Sequence, residues 1–251
     1  MTSSPSEETR IHTRILKFGL GCDESRAYWR RVEDPEQQRT SMDAFRGQWF
    51  GQVSENRAKD IMTNMRARYD AYPEALAALS TWVPTELPVR KVICHWHLQL
   101  SDPLYRRFTA DYLADRRRNF DAETTRDHVS RWVEDQQPDR WSTKTCLEFA
   151  SKLLSAAHAA DLVATNRDPR KLAYPAVPDD ALRYGLHLLR EVRTTGSLLD
   201  NPYLGSVGLT GNFLEDRIRR LDGVEMRRMG DLTDFESHID TLSGWTREKT
   251  S

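Results

Sequence analysis

The residues best suited to act on a partner molecule fall between positions 141 and 174, WSTKTCLEFASKLLSAAHAADLVATNRDPRKLAY. Four polar side chains, Ser142, Thr143, Lys144 and Thr145, lead into Leu147, Ala150, Leu153, Leu154 and Ala157, an apolar stripe at helical spacing. Ser142 suits an N-cap, because its hydroxyl can accept from the orphan N–H groups of a first turn. A helix starting there presents Thr143, Lys144 and Thr145 to base edges or phosphates in a major groove. The apolar runs 162–164 and 172–174 predict a short β-hairpin, with Arg167, Arg170 and Lys171 at its tip. A capped helix followed by a basic wing is how a winged helix meets double-stranded DNA. Arg140, just ahead of the cap, is placed to clamp a phosphate. The bland alternative also stands: an ordinary capped helix and a solvated hairpin tip. Trp141 reads better as an apolar staple before the cap than as a base-stacking ring.

Other clusters are weaker. Arg116, Arg117 and Arg118 suit phosphate binding, and suit equally the negative end of a helix dipole. Arg217, Arg219, Arg220, Arg227 and Arg228 form a second candidate basic surface, diluted by nearby acids. Cys94-His95-Trp96-His97 is the one cluster that suggests a metal. A structural zinc takes four ligands, usually in paired short-spacing motifs, and no second pair follows. A buried Cys and a partly buried His in a helix are expected instead, and no metal or other cofactor is expected. Pro138-Asp139 resembles the start of a nuclease carboxylate motif, but its sequel reads as helix rather than the acid-bearing strands that two-metal chemistry requires. Phosphate-loop, dinucleotide, zincin and serine-hydrolase signatures are missing from the sequence. The chain is therefore read as a non-enzyme.

Composition limits the DNA reading. Lys and Arg number 37 against 38 Asp and Glu, a formal net charge of −1. A strong non-specific DNA binder usually carries a basic excess, so charge must be segregated locally. Residues 138–172 hold six basic against four acidic side chains, and residues 106–118 hold five against two. Salt-sensitive binding of moderate strength, or binding helped by partners, is expected. The mean hydropathy of −0.70 indicates a soluble, helix-rich protein. No apolar run approaches the roughly 18 residues that cross a bilayer, so neither a transmembrane segment nor a membrane partner is expected. MTSSPSEETR lacks an apolar signal core, and Cys22, Cys94 and Cys146 are odd in number and widely spread. Both point to free thiols in a cytoplasmic protein.

The elements that must position these residues read as mainly α. Residues 1–22 are expected to be flexible, and residues 23–101 to form an N-terminal helical bundle. Within it Ser54 caps a helix through Tyr69, Pro73 starts a short helix, and residues 89–100 form a strongly apolar one. Residues 102–178 are expected to be a winged-helix-like domain. Asp102-Pro103 opens its first helix, Asp121 caps a second reaching about Asp135, and the Ser142 helix and hairpin complete it. Residues 179–251 are expected to be a helical domain with a terminal hairpin, strands at 224–229 and 232–235 turning at Gly230-Asp231. A second, degenerate winged helix is an open reading there. The fold class is thus a helical bundle with helix-turn-helix or winged-helix units and short β-hairpin wings.

The DPLYRRFTADYL helix, the WSTKT start running into LLSAAHAADLV, the 179–189 helix, and the closing hairpin with Gly244-Trp245 resemble, in order and spacing, the BrxA family of bacterial BREX phage-defence systems. The resemblance covers about residues 25–245 and leaves a polar N-terminus of about two dozen residues unaligned. It implies an almost all-α fold with helix-turn-helix character. It also implies a DNA-binding, non-catalytic component working with a methyltransferase, a phosphatase-like protein and a large ATPase. The expected function is therefore double-stranded DNA binding in bacteriophage defence. The rivals are a protein-interaction scaffold for the defence complex and, more remotely, a metal-dependent nuclease.

Overall fold

The computed structural model describes residues 5–32, 39–118, 122–222, 224–229, 232–237 and 241–250. Residues 5–20 correct the expectation of a flexible segment. Glu7 N–H donates to Arg193 O (3.1 Å), Arg193 N–H to Pro5 O (2.9 Å) and Glu8 N–H to Leu100 O (2.8 Å). Ile11, Ile15, Phe18 and Leu20 are buried around the single turn α1 (Arg14–Lys17). Each large apolar side chain buried contributes about 1.5–3 kcal/mol, which outweighs the polar composition that suggested disorder. Arg68, fully buried, ties down the end of this strap by donating to Gly19 O (2.5 Å) and Leu20 O (2.6 Å).

Gly21, at φ +63°, then turns the chain into α2 (Cys22–Trp29); a Cβ there would overlap the Phe18 ring. The Asp34-Pro35 break lies outside the described residues. A Thr40–Asp43 capping box starts α3 (Ser41–Arg46), and Ser54 caps α4 (Glu55–Met65) as expected. The α4 backbone continues into a π turn, Arg66–Asp70. Next come α5 (Pro73–Trp82) and α6 (Leu87–Ser101).

α6 runs through the middle of the molecule and is buried from Val92 to Ser101. It is followed by α7 (Pro103–Arg107), a π turn at Phe108–Tyr112 and α8 (Leu113–Arg117), whose joints keep right-handed helical backbone. Asp102 caps α7 by accepting from Tyr105 N–H at 3.0 Å. β1 (Glu123–Thr124), which the sequence did not suggest, precedes α9 (Arg126–Gln136). The α9 cap is Thr125; Asp121, the expected cap, lies outside the described residues.

Ser142 caps α10 (Thr143–Ala159), and β2 (Arg170–Lys171) follows. β1 pairs antiparallel with β2, Glu123 opposite Lys171 and Thr124 opposite Arg170. On the other side of β2 the chain pairs with the segment leaving α10. Val163 bridges Leu172, Ala164 N–H donates to Lys171 O and Ala173 N–H to Leu162 O. The expected 162–174 hairpin is present, with β1 as a third strand on its edge.

The C-terminal part comprises α11 (Asp179–Glu191), α12 (Pro202–Ser206), α13 (Gly211–Arg219), the hairpin β3 (Val224–Met229) with β4 (Leu232–Ser237), and α14 (Leu242–Thr250). The Gly230-Asp231 turn lies outside the described residues; the pairing of Met229 with Leu232 frames it. α14 was not expected. It crosses back onto α5, with Trp245 and Trp82 edge-to-face at 5.0 Å. α11 lies on α6, where Gly185 admits the Trp96 ring, which a Cβ would strike.

The expected boundaries near 102 and 179 are bridged by core. One continuous apolar cluster joins Ile15, Trp29, Leu98, Leu153, Leu186 and Trp245. The chain is mainly helical, and among the described residues no helix is long and apolar enough to cross a membrane.

Candidate nucleic-acid interface

Burial of Phe149, Ala150, Leu153, Leu154, Ala156 and Ala157 sets the rotation of α10. That rotation leaves Lys144, Glu148, Lys152 and Ser155 exposed along its outer face. Ser142 and Thr145 turn back on the helix. Thr145 N–H donates to Ser142 Oγ at 3.2 Å, and the two hydroxyls are 3.0 Å apart. Their polar atoms therefore close the first turn, while Thr143 and Lys144 face solvent. Trp141 packs on Phe149 with ring centroids 4.4 Å apart, as a staple would.

Arg140 is exposed but engaged. It donates to Gln137 Oε1 (2.7 Å) and Ile11 O (3.2 Å), and its guanidinium lies 5.1 Å from the Trp141 ring. Arg140 thus ties the N-terminal strap to the start of α10.

The hairpin tip divides its three cations. Arg170 donates through Nε to Asp168 Oδ1 at 2.8 Å, and its side chain is only 12% exposed. Asp168 uses its other oxygen to accept from Arg126 N–H, an orphan donor at the start of α9 (2.9 Å). Burial alone would raise the Asp168 pKa, but the Arg126 N–H and the Arg170 guanidinium outweigh it and hold the carboxyl below its ordinary value. Arg170 is accordingly a brace that fixes the hairpin on α9. Arg167 and Lys171 stay exposed, with no side-chain partner among the described residues.

Arg116 and Arg117 also point inward. Arg116 donates twice to Glu123 O, at 3.0 and 2.8 Å, and so carries β1. Arg117 donates to Ala173 O (2.7 Å), with its guanidinium 4.1 Å from the Tyr174 ring; burial lowers its pKa. Both side chains join α8 to the small sheet, so neither presents a free guanidinium to a phosphate. Arg118 is exposed and paired with Asp115 one turn back.

One groove of about 310 Å³ brings together three cations and one carboxylate. It is lined by Leu16 of the strap, Arg126 of α9, and Lys144, Leu147, Glu148, Ser151 and Lys152 of α10. Arg126 and Lys152 are the cations the sequence reading did not single out. Lys152 was legible as two turns on from Lys144, on the same helix face. Arg126 was not, because only sheet closure and the Asp168 bond bring the α9 start beside the hairpin tip.

In the second candidate surface two of the five arginines are paired. Arg217 donates to Asp179 and Val177 O, and Arg219 pairs with Glu215 and Asp216. Arg220 is exposed, and the side chains of Arg227 and Arg228 lie outside the described set.

Cys94-His95-Trp96-His97 is entirely internal. His95 is bonded to Tyr105 Oη (2.9 Å) and Ser206 Oγ (2.8 Å), and His97 to Arg68 O (2.9 Å) and Tyr184 Oη (2.6 Å). Burial lowers the pKa of His95 to about 3 and of His97 to about 4. Both rings are neutral struts at neutral pH, with both nitrogens occupied. No cluster of three potential metal ligands occurs among the described residues, and Asp139 stands exposed at φ +60°.

The chain matches no family model, no curated protein and no solved structure.

Proposed function

We propose that residues 103–173 act as a winged-helix unit that binds double-stranded DNA, with α10 as the recognition helix and the 165–169 turn as the wing. The order of elements supports it: helix, short strand, helix, helix, then a hairpin whose second strand pairs with the first short strand. This is the order in which a winged helix presents its second and third helices and wing on one side. The observation that carries the reading is the groove of Arg126, Lys144 and Lys152, joined to the hairpin tip through the Asp168–Arg126 bond. Among the described residues these cations form no ion pair, so phosphates can bind beside Glu148 at little cost in broken ion pairs.

The resemblance to the BrxA family extends the proposal. The unit would serve a non-catalytic component of a BREX-like phage-defence system, assembled with a methyltransferase, a phosphatase-like protein and a large ATPase. A scaffold role draws support from two exposed aromatic side chains, Tyr174 (54%) and Phe213 (57%). The deciding experiment is a fluorescence titration of duplex DNA at several salt concentrations, comparing the parent chain with Lys144→Glu/Arg167→Glu. The expected result is at least about a tenfold loss of affinity and a shallower salt dependence. Equal affinity would remove the winged-helix reading. Partner capture that survives nuclease treatment, with no DNA affinity in the parent, would select the scaffold.

A further inference from the structure

The α10 face bordering the groove carries Lys144, Leu147, Glu148, Ser151 and Lys152, at the spacing of one helix face. Its lysines suit phosphates, but the side chains between them do not. Glu148 is exposed and forms no ion pair among the described residues, although Lys144 and Lys152 are each one turn away. A carboxylate there repels a phosphate. Leu147 is the one leucine of α10 left half-buried, whereas Leu153 and Leu154 are fully buried. It borders the groove together with Leu16 of the N-terminal strap. Ser151 donates its hydroxyl to Leu147 O at 2.9 Å, so its oxygen keeps lone pairs for a further donor.

Base edges in a major groove supply what these side chains lack. Cytosine N4 offers amino hydrogens that a carboxylate accepts, and thymine offers a 5-methyl group that an apolar side chain covers. The edges of guanine present only acceptors, which a carboxylate repels.

We infer that α10 reads sequence, Glu148 selecting cytosine and Leu147 thymine, while Lys144, Lys152 and Arg126 hold the flanking phosphates. The inference rests on the DNA-binding reading above. It narrows the substrate to duplexes with a C·G and a T·A pair in adjacent steps. Leu147 and Glu148 are consecutive, about 1.5 Å apart along the helix axis. Stacked base pairs are about 3.4 Å apart, so the two side chains reach neighbouring pairs. Ser151 adds an acceptor one turn on and discriminates little between bases. The two lysines, about 12 Å apart along the axis, bracket this core.

The test takes the full chain through selection from a random duplex library at low salt, then titrates an enriched duplex by fluorescence. Enriched duplexes should share a core with C·G beside T·A, and a scrambled duplex should bind at least about tenfold more weakly. Uracil in place of the core thymine removes only the methyl group. Parent affinity should then fall about fivefold, while Leu147→Ala should register less than about a twofold difference. That change is made in the DNA, so the parent result does not depend on the folding of any variant. Glu148→Gln should lose the cytosine preference in a repeat selection. It should also bind the scrambled duplex more tightly than the parent, since one negative charge leaves the face turned to phosphates. The inference is overturned if the parent binds duplex DNA with no shared core, if that core lacks cytosine or thymine, if uracil and thymine bind alike, or if Glu148→Gln still selects cytosine. The DNA-binding reading survives each of those results. A parent chain that binds no duplex at all removes that reading and this inference together.

Discussion

α6 and α10 have similar lengths, 15 and 17 residues, and treat their polar side chains in opposite ways. α6 is enclosed, and His95, His97 and Gln99 each meet an internal partner. α10 buries one side only and leaves Lys144 and Lys152 in solvent without a partner among the described residues. The difference shows what a polar residue type is worth as a functional signal. The Cys-His cluster on α6 looked chemical and proves to be internal bracing. The plain lysines on α10 are the groups still available to a partner. Pairing within the molecule therefore separates the two better than composition does.

The comparison can be broken most forcefully with acid. The folded His95 and His97 have depressed pKa values, while in the unfolded chain they titrate near the ordinary value of about 6.5. Their neutral burial contributes fully above that value and is lost as pH falls toward about 4 and then about 3. Going from pH 7 to pH 5 should cost about 2 kcal/mol per histidine, read as a lower urea midpoint. An unchanged midpoint would mean that α6 does not hold these rings neutral.

Next in size is Gly185→Ala, which pushes a methyl group into the Trp96 ring on α6. Overpacking of this kind should destabilise by about 1–3 kcal/mol in chemical denaturation, with DNA affinity unchanged. A variant as stable as the parent would contradict the close α6–α11 contact.

On α10 the expectation reverses. Lys152→Glu should leave the urea midpoint nearly unchanged and weaken duplex DNA binding about fivefold, or about 1 kcal/mol. A loss of stability without loss of affinity would place this face in the core's service instead. The smallest effect belongs to Arg219→Ala. Its exposed pairs with Glu215 and Asp216 are worth less than about 1 kcal/mol, and a DNA titration should not register it. A clear loss of affinity there would make the C-terminal arginines a second contact surface.

Local signals in the sequence located most helices because they act over a few residues. The Ser54, Asp102 and Ser142 caps and the Pro73 helix start all stand where spacing placed them. The 162–174 hairpin was legible for the same reason. β1 was not, since a two-residue strand exists only through its partner Arg170-Lys171. The strap at 5–20 was read as flexible because Ile11, Ile15 and Phe18 form no local apolar face of their own; their burial depends on α4 and α10 being in place.

By itself the sequence determined the helical class, the rotation of α10 about its apolar stripe, and the basic residues offered near it. Apolar periodicity and capping are properties of neighbouring positions, and they survive without knowledge of the rest of the chain. Only the tertiary structure decided which cations stay available. Arg116 and Arg117 come within reach of Glu123 O and Ala173 O after the strands close. Arg126 meets the hairpin tip through that same closure. A guanidinium or ammonium group binds whatever acceptor lies within about 3 Å, and for these residues that acceptor is set by the path of distant chain.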